Sequence, residues 1–76
     1  MRTKRLAEEV LLWRGRGHAH GLVRELRCTM EQLGEGFFEL RLVSGRKLLL
    51  AEPFDDPRAL LNRAQQLRIE LHTPAV

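Results

Sequence analysis

The side chains with the most chemical reach lie close together in Arg14-Gly15-Arg16-Gly17-His18-Ala19-His20, where charged or imidazole residues alternate with glycine and alanine. Two guanidinium groups flanked by glycines suit phosphate, because arginine bonds phosphate oxygens in pairs and glycine lets the backbone approach closely. Arg14, Arg16, His18 and His20 are therefore the candidate phosphate or nucleic-acid contacts. If the segment is extended, His18 and His20 also share one side, and two imidazoles are half of a zinc or nickel site. The other strong donors are Cys28 and His72. Cys28 is expected on an apolar strand face, so no metal and no cofactor are assigned.

Catalysis needs a nucleophile, a base within hydrogen-bond reach and a group to hold that base. Cys28 with a histidine is formally a dyad, but a thiol on an apolar strand face acts as a small hydrophobe. Asp55-Asp56 looks like a carboxylate pair, yet it stands directly before Pro57. An aspartate there caps free amides at a helix start. No catalytic residue is assigned, and a non-enzymatic protein is expected.

The elements that carry these residues follow from punctuation and periodicity. Gly34-Glu35-Gly36, Ser44-Gly45-Arg46 and Glu52-Pro53-Phe54-Asp55-Asp56-Pro57 divide residues 21–71 into four segments, of which the first three read as strands. Leu22, Leu26, Cys28 and Met30 share one face of the first, with Glu25, Arg27, Thr29 and Glu31 on the other. Phe38, Leu40 and Leu42 repeat the scheme against Glu39 and Arg41. Parity then favours a three-residue loop Gly34-Glu35-Gly36, which sets Met30 against Leu40 and Cys28 against Leu42, with Gly36 at positive φ. Leu48, Leu49 and Leu50 are apolar on both faces. The register of their hairpin stays open, and cover is expected on both sides, from the N-terminal segment or another subunit.

The fourth segment is a helix capped by Asp56 and Pro57, with Leu60, Leu61, Ala64, Leu67 and Leu71 on one stripe. In residues 4–13 the spacing of Leu6, Val10 and Trp13 suits a helix, although Val10-Leu11-Leu12-Trp13 also suits a strand. A helix is the reading adopted, with Lys4–Glu8 and Arg5–Glu9 as i,i+4 pairs and Arg14 to Gly21 as a connector. The expected fold is thus α+β: a three-stranded antiparallel sheet, a C-terminal helix on one face and a short N-terminal helix, in the order α-β-β-β-α. Residues 1–76 form one domain, with a basic segment at 1–20, a β-meander at 21–52 and a helix at 56–71.

This order of elements resembles that of double-stranded-RNA-binding domains and of the related small toxins that cleave messenger RNA, a resemblance that implies contact with RNA. Where those families carry a lysine-rich helix start, this chain has Asp55-Asp56-Pro57-Arg58, which repels phosphate. The toxins' glycine-serine-histidine motif has only Gly17-His18 as its counterpart, so no catalytic role is carried over. The stretch from Gly36 to Leu71 also resembles small bacterial proteins with a β-meander and a C-terminal helix, which implies a fold and no activity.

Charge and length set the remaining bounds. The net charge of +3 resides entirely in residues 1–20, where Arg2, Lys4, Arg5, Arg14 and Arg16 face Glu8 and Glu9; residues 21–76 carry eight charges of each sign. Cys28 is the only cysteine, which excludes an internal disulfide, and the absence of a leader pattern makes the cytoplasm the expected compartment. The apolar runs Val10–Trp13 and Leu48–Ala51 are far shorter than the roughly 20 residues that span a bilayer, so no membrane passage is expected. A 76-residue chain builds a thin core. The favoured function is therefore a self-associating interaction module, a homodimer joined through Leu11, Leu12, Trp13, Leu48 and Leu50. The alternative is nucleic-acid binding through the basic N-terminal segment.

Overall fold

The computed structural model describes residues 9–71. Leu6, His72 and the expected Lys4–Glu8 and Arg5–Glu9 pairs involve residues outside that range. Four antiparallel strands lie side by side in chain order: β1 (Glu9–Ala19), β2 (Leu22–Gly34), β3 (Phe37–Ser44) and β4 (Lys47–Phe54). One helix, α1 (Pro57–Leu71), covers one face.

The expected α-β-β-β-α order is therefore corrected to β-β-β-β-α: the sheet has four strands rather than three, and Glu9–Trp13 is strand, not helix. A β-bulge explains the difference. Leu11 stands opposite Thr29 and Trp13 opposite Cys28, which leaves Leu12 as an extra residue on β1. The bulge shifts side-chain parity, so Val10 (opposite Met30) and Trp13 (opposite Cys28) share a face although they are three residues apart. Spacing by three is also what a helical stripe produces. The expected connector continues as strand and turns at His20-Gly21, with φ of 52° and 79°, the two positive values that a type I′ hairpin turn requires.

In the second hairpin Met30 faces Leu40 and Cys28 faces Leu42 as expected, but the three-residue loop is corrected to a two-residue turn, Glu35-Gly36, with Gly36 at φ of 73° and Gly34 opposite Phe37. A bulge that makes Leu33 the extra residue on β2 keeps the apolar register. The third turns through two residues, Gly45-Arg46, with Ser44 opposite Lys47 and Gly45 at φ of 61°. A bulge here makes Leu49 the extra residue, since Leu42 pairs with Leu50 and Val43 with Leu48. Consequently Leu49 and Leu50 both pack against the core, and only Leu48, 53% exposed, faces away. The leucine run thus turns two of its three members to the core and leaves Leu48 on the other face.

The core joins Leu26, Cys28, Leu40 and Leu42 of the sheet to Leu60, Ala64 and Leu67 of α1, with Ala19 at its margin. Burying Leu60 and Leu67 contributes roughly 1.5–3 kcal/mol each. Leu61, expected on the same stripe, is 49% exposed. The helix starts as expected: Asp56 Oδ1 accepts from the Arg58 amide at 3.0 Å, and the Asp56 carbonyl from the Leu60 amide at 3.1 Å. Two polar ties fix α1 on the sheet. Arg63 donates to both carboxylate oxygens of Glu52, at 3.0 and 3.2 Å, and Trp13 Nε1 donates to the Ala64 carbonyl at 2.8 Å.

At its far end α1 rests on β1. A Cβ added to Gly17 would overlap the Leu71 carbonyl oxygen and lie 3.1 Å from Leu26 Cδ1, whereas one added to Gly15 would meet nothing within 4 Å. Gly17→Ala should therefore lower unfolding stability by roughly 1–3 kcal/mol through overpacking. Gly15→Ala should be neutral or stabilise by about 0.5–1 kcal/mol through reduced backbone freedom. Urea denaturation of both variants measures the contrast; equal effects would contradict the seating of α1 on Gly17.

Candidate functional site

The last β2–β3 pair is Arg27 with Val43, but β1 and β2 pair onward to Ala19 with Leu22. The β1–β2 hairpin thus extends past β3 as a two-stranded ribbon about 17 Å long, at roughly 3.4 Å per residue. Alternation sorts its residues. Gly15, Gly17 and Ala19 of β1 with Leu22, Arg24 and Leu26 of β2 are on the helix side, while Arg14, Arg16 and His18 with Val23, Glu25 and Arg27 are on the open side. Gly17 and Ala19 are buried, and Ala19 belongs to one cluster with Leu42 and Leu60. A cleft of about 270 Å³ separates the tip, His18 to Gly21, from Leu42, Leu49, Leu50 and Leu71. The ribbon therefore curls toward α1, and its open side is convex.

Cations gather on that convex side. Arg14 stands directly opposite Arg27, and like charges in that position repel. Arg16 follows opposite Glu25, and His18 opposite Val23. Arg27 is anchored sideways, its Nη2 donating to the Gly45 carbonyl at 3.0 Å, beside Arg46 and Lys47 in the sequence. Among the described residues the ion pairs join Arg41 to Glu31 and Glu39 and Arg63 to Glu52; none engages Arg14, Arg16 or Arg27.

The other end of the open face is acidic and internally matched. Glu31 pairs with Glu9 on one side and with Glu39 on the other. Arg41 lies 2.9 Å from Glu31 and donates through Nε to Glu39 at 2.7 Å, and buried Thr29 donates to Glu9 at 3.2 Å. The Arg41–Glu31 contact is ionic rather than a well-aligned hydrogen bond. The hydrogen bond that Arg41 donates to Glu39, more than the fields of Glu31 and Glu9, holds its guanidinium protonated more firmly than usual. The carboxylates at this end thus have their own arginine, while among the described residues no ion pair engages Arg14, Arg16 or Arg27. Arg24 is the exception on the ribbon: it faces α1, and its Nε is buried with no hydrogen-bond partner among the described residues.

The expected phosphate contacts are brought together in part. Arg14, Arg16 and His18 share the convex side, whereas His20 occupies the turn. Arg27 was not among the expected contacts; its signal is parity, visible only once Arg14-Gly15-Arg16-Gly17-His18-Ala19 is read as a period-two strand. The expected self-association residues disperse. Leu12, Trp13 and Leu50 pack against the core of their own chain, and Leu11, 50% exposed, and Leu48 stay outside. Cys28 is fully buried on the helix side, the face opposite His18, and burial pushes its thiol up to about 11, so the two groups cannot form a dyad or share a metal. Among the described residues no three His, Cys, Asp or Glu side chains converge on one point, and no described helix is long and apolar enough to cross a membrane.

No protein-family model matches this chain, and no curated protein or solved structure is significantly similar to it.

If Arg14 and Arg27 are the unrelieved pair described, Arg14→Glu should raise unfolding stability by about 0.2–1 kcal/mol at low ionic strength. The gain should shrink as salt is added. Thermal denaturation at two salt concentrations measures it, and a loss of stability at low salt would contradict the pairing.

Proposed function

We propose that this is a non-enzymatic, cytoplasmic module that binds nucleic acid through the convex side of the β1–β2 ribbon. The observation that carries the reading is the Arg14–Arg27 cross-strand pair, continued by Arg16 and His18 on the same surface. Such a pair lowers the stability of the free protein, and an anion seated between the guanidinium groups relieves it. A polyanion with regularly spaced phosphates is the partner that several such groups on one extended surface suit best. The low net charge of +3 does not oppose this, because the acidic end of the sheet holds its own counter-cation, Arg41, while among the described residues no ion pair engages Arg14, Arg16 or Arg27.

Salt provides the test. With about three phosphates neutralised, the logarithm of the binding constant should fall against the logarithm of salt concentration with a slope of roughly −3. Arg14→Ala, Arg16→Ala and Arg27→Ala should each make that slope shallower by about one. Fluorescence anisotropy with labelled duplex and single-stranded probes measures both. Absence of binding to every probe at low salt sinks the proposal.

A second reading, the homodimer, is favoured by the exposed Leu61 and Ile69, two turns apart on α1. The bulges at Leu12 and Leu49 seat Leu12, Trp13, Leu49 and Leu50 within one chain, so this reading now rests on the helix surface together with Leu11 and Leu48, which stay exposed. It predicts a salt-insensitive dimer in sedimentation at micromolar concentration, and a clean monomer of 8.8 kDa excludes it.

A further inference from the structure

The convex side of the ribbon is also specific about the form of nucleic acid, an inference that rests on the reading just given. Proteins that hold single strands place aromatic rings where unstacked bases can lie against them. No Phe, Tyr or Trp stands among Arg14, Arg16, His18, Val23, Glu25 and Arg27, and the His18 imidazole is the one ring there. The nearest larger ring in the sequence, Trp13, is on the helix side of the sheet with its Nε1 bonded to the Ala64 carbonyl. A single strand would find cations on this surface but only the one small ring of His18 for its successive bases.

Shape separates the duplexes. The projecting element is two strands wide, with adjacent strands about 4.8 Å apart, and beyond Arg27 no third strand pairs with β2 among the described residues. The major groove of B-form DNA, about 12 Å wide, admits a two-stranded ribbon, whereas that of A-form RNA is too deep and narrow for side chains to read. Curling toward α1 directs the convex side outward, so the ribbon can enter a concave groove while α1 stays clear of it. Within that surface Arg14 and Arg27 suit phosphates at the groove wall. Glu25 opposite Arg16 is an acceptor beside a donor, a combination that phosphates alone do not use and that base edges in the major groove satisfy.

We infer that the ribbon takes B-form duplex DNA, entering its major groove. The intact protein is titrated by anisotropy against a mixed-sequence DNA duplex, its single strand and the RNA duplex of the same sequence. A parallel titration uses a DNA duplex whose minor groove is filled with netropsin. Affinity for the DNA duplex should exceed that for both other probes by about ten-fold, and netropsin should leave it unchanged. Equal or tighter binding of the single strand or the RNA duplex overturns this inference, as does release by netropsin, while the ribbon remains a nucleic-acid contact. No binding to any probe at low salt overturns both.

Discussion

The approach of the end of α1 to Gly17 is the contact on which the candidate site depends. A two-stranded ribbon is marginally stable by itself in water, and this one also carries arginines side by side. It keeps its shape because one side is held. The Leu71 backbone rests where Gly17 has no side chain, Trp13 ties α1 about two turns earlier through Ala64, and Ala19 closes against the core. The same glycine-rich sequence that looks like a flexible connector is thus a strand with a smooth inner side. Its small residues admit the helix, and its large charged residues are left for the opposite surface.

Bulges do the equivalent work for the apolar residues. A strand of strict alternation has one apolar side, and two consecutive large apolar residues would leave one in water. At Leu12-Trp13 and at Leu49-Leu50 an extra residue shifts parity, and both members of each pair pack against the core. Leu12, Trp13 and Leu50 are among the residues that suggest a subunit interface when the sequence is read alone; the others, Leu11 and Leu48, stay exposed. Bulges also twist an edge and interrupt its regular hydrogen bonding, and these two, unlike the third at Leu33 of β2, fall on the outer strands, β1 and β4. They therefore serve the core and guard the edges together.

Strict alternation is what made the middle of the chain legible. The β2–β3 register, the glycine turn at Gly36 and the Asp56 cap follow from residue types at fixed offsets, with no long-range knowledge required. The first strand was obscured because its bulge gives Val10 and Trp13 a helical spacing, and because Gly15 and Gly17 weaken any regular pattern. The role of Gly17 is set by Leu71, more than fifty positions away. The site was legible only in half for the same reason. Arg14, Arg16 and His18 stand out by composition, but Arg27 joins them through a pairing that exists only when β1 is a strand. Its register with β2 also brings the acidic residues Glu9 and Glu31 together at the opposite end, a separation of charge that the summed net value conceals.

The central claim is that one convex surface, shaped from beneath by α1, meets the partner. Chemical-shift mapping with labelled protein and a short DNA duplex tests it most directly. The account predicts that amide signals of Arg14, Arg16, His18, Glu25 and Arg27 move on titration, while those of Glu39, Arg58 and Ile69 stay in place. Movement centred on α1 or on the Glu31–Arg41 end, with the ribbon signals unchanged, would contradict it.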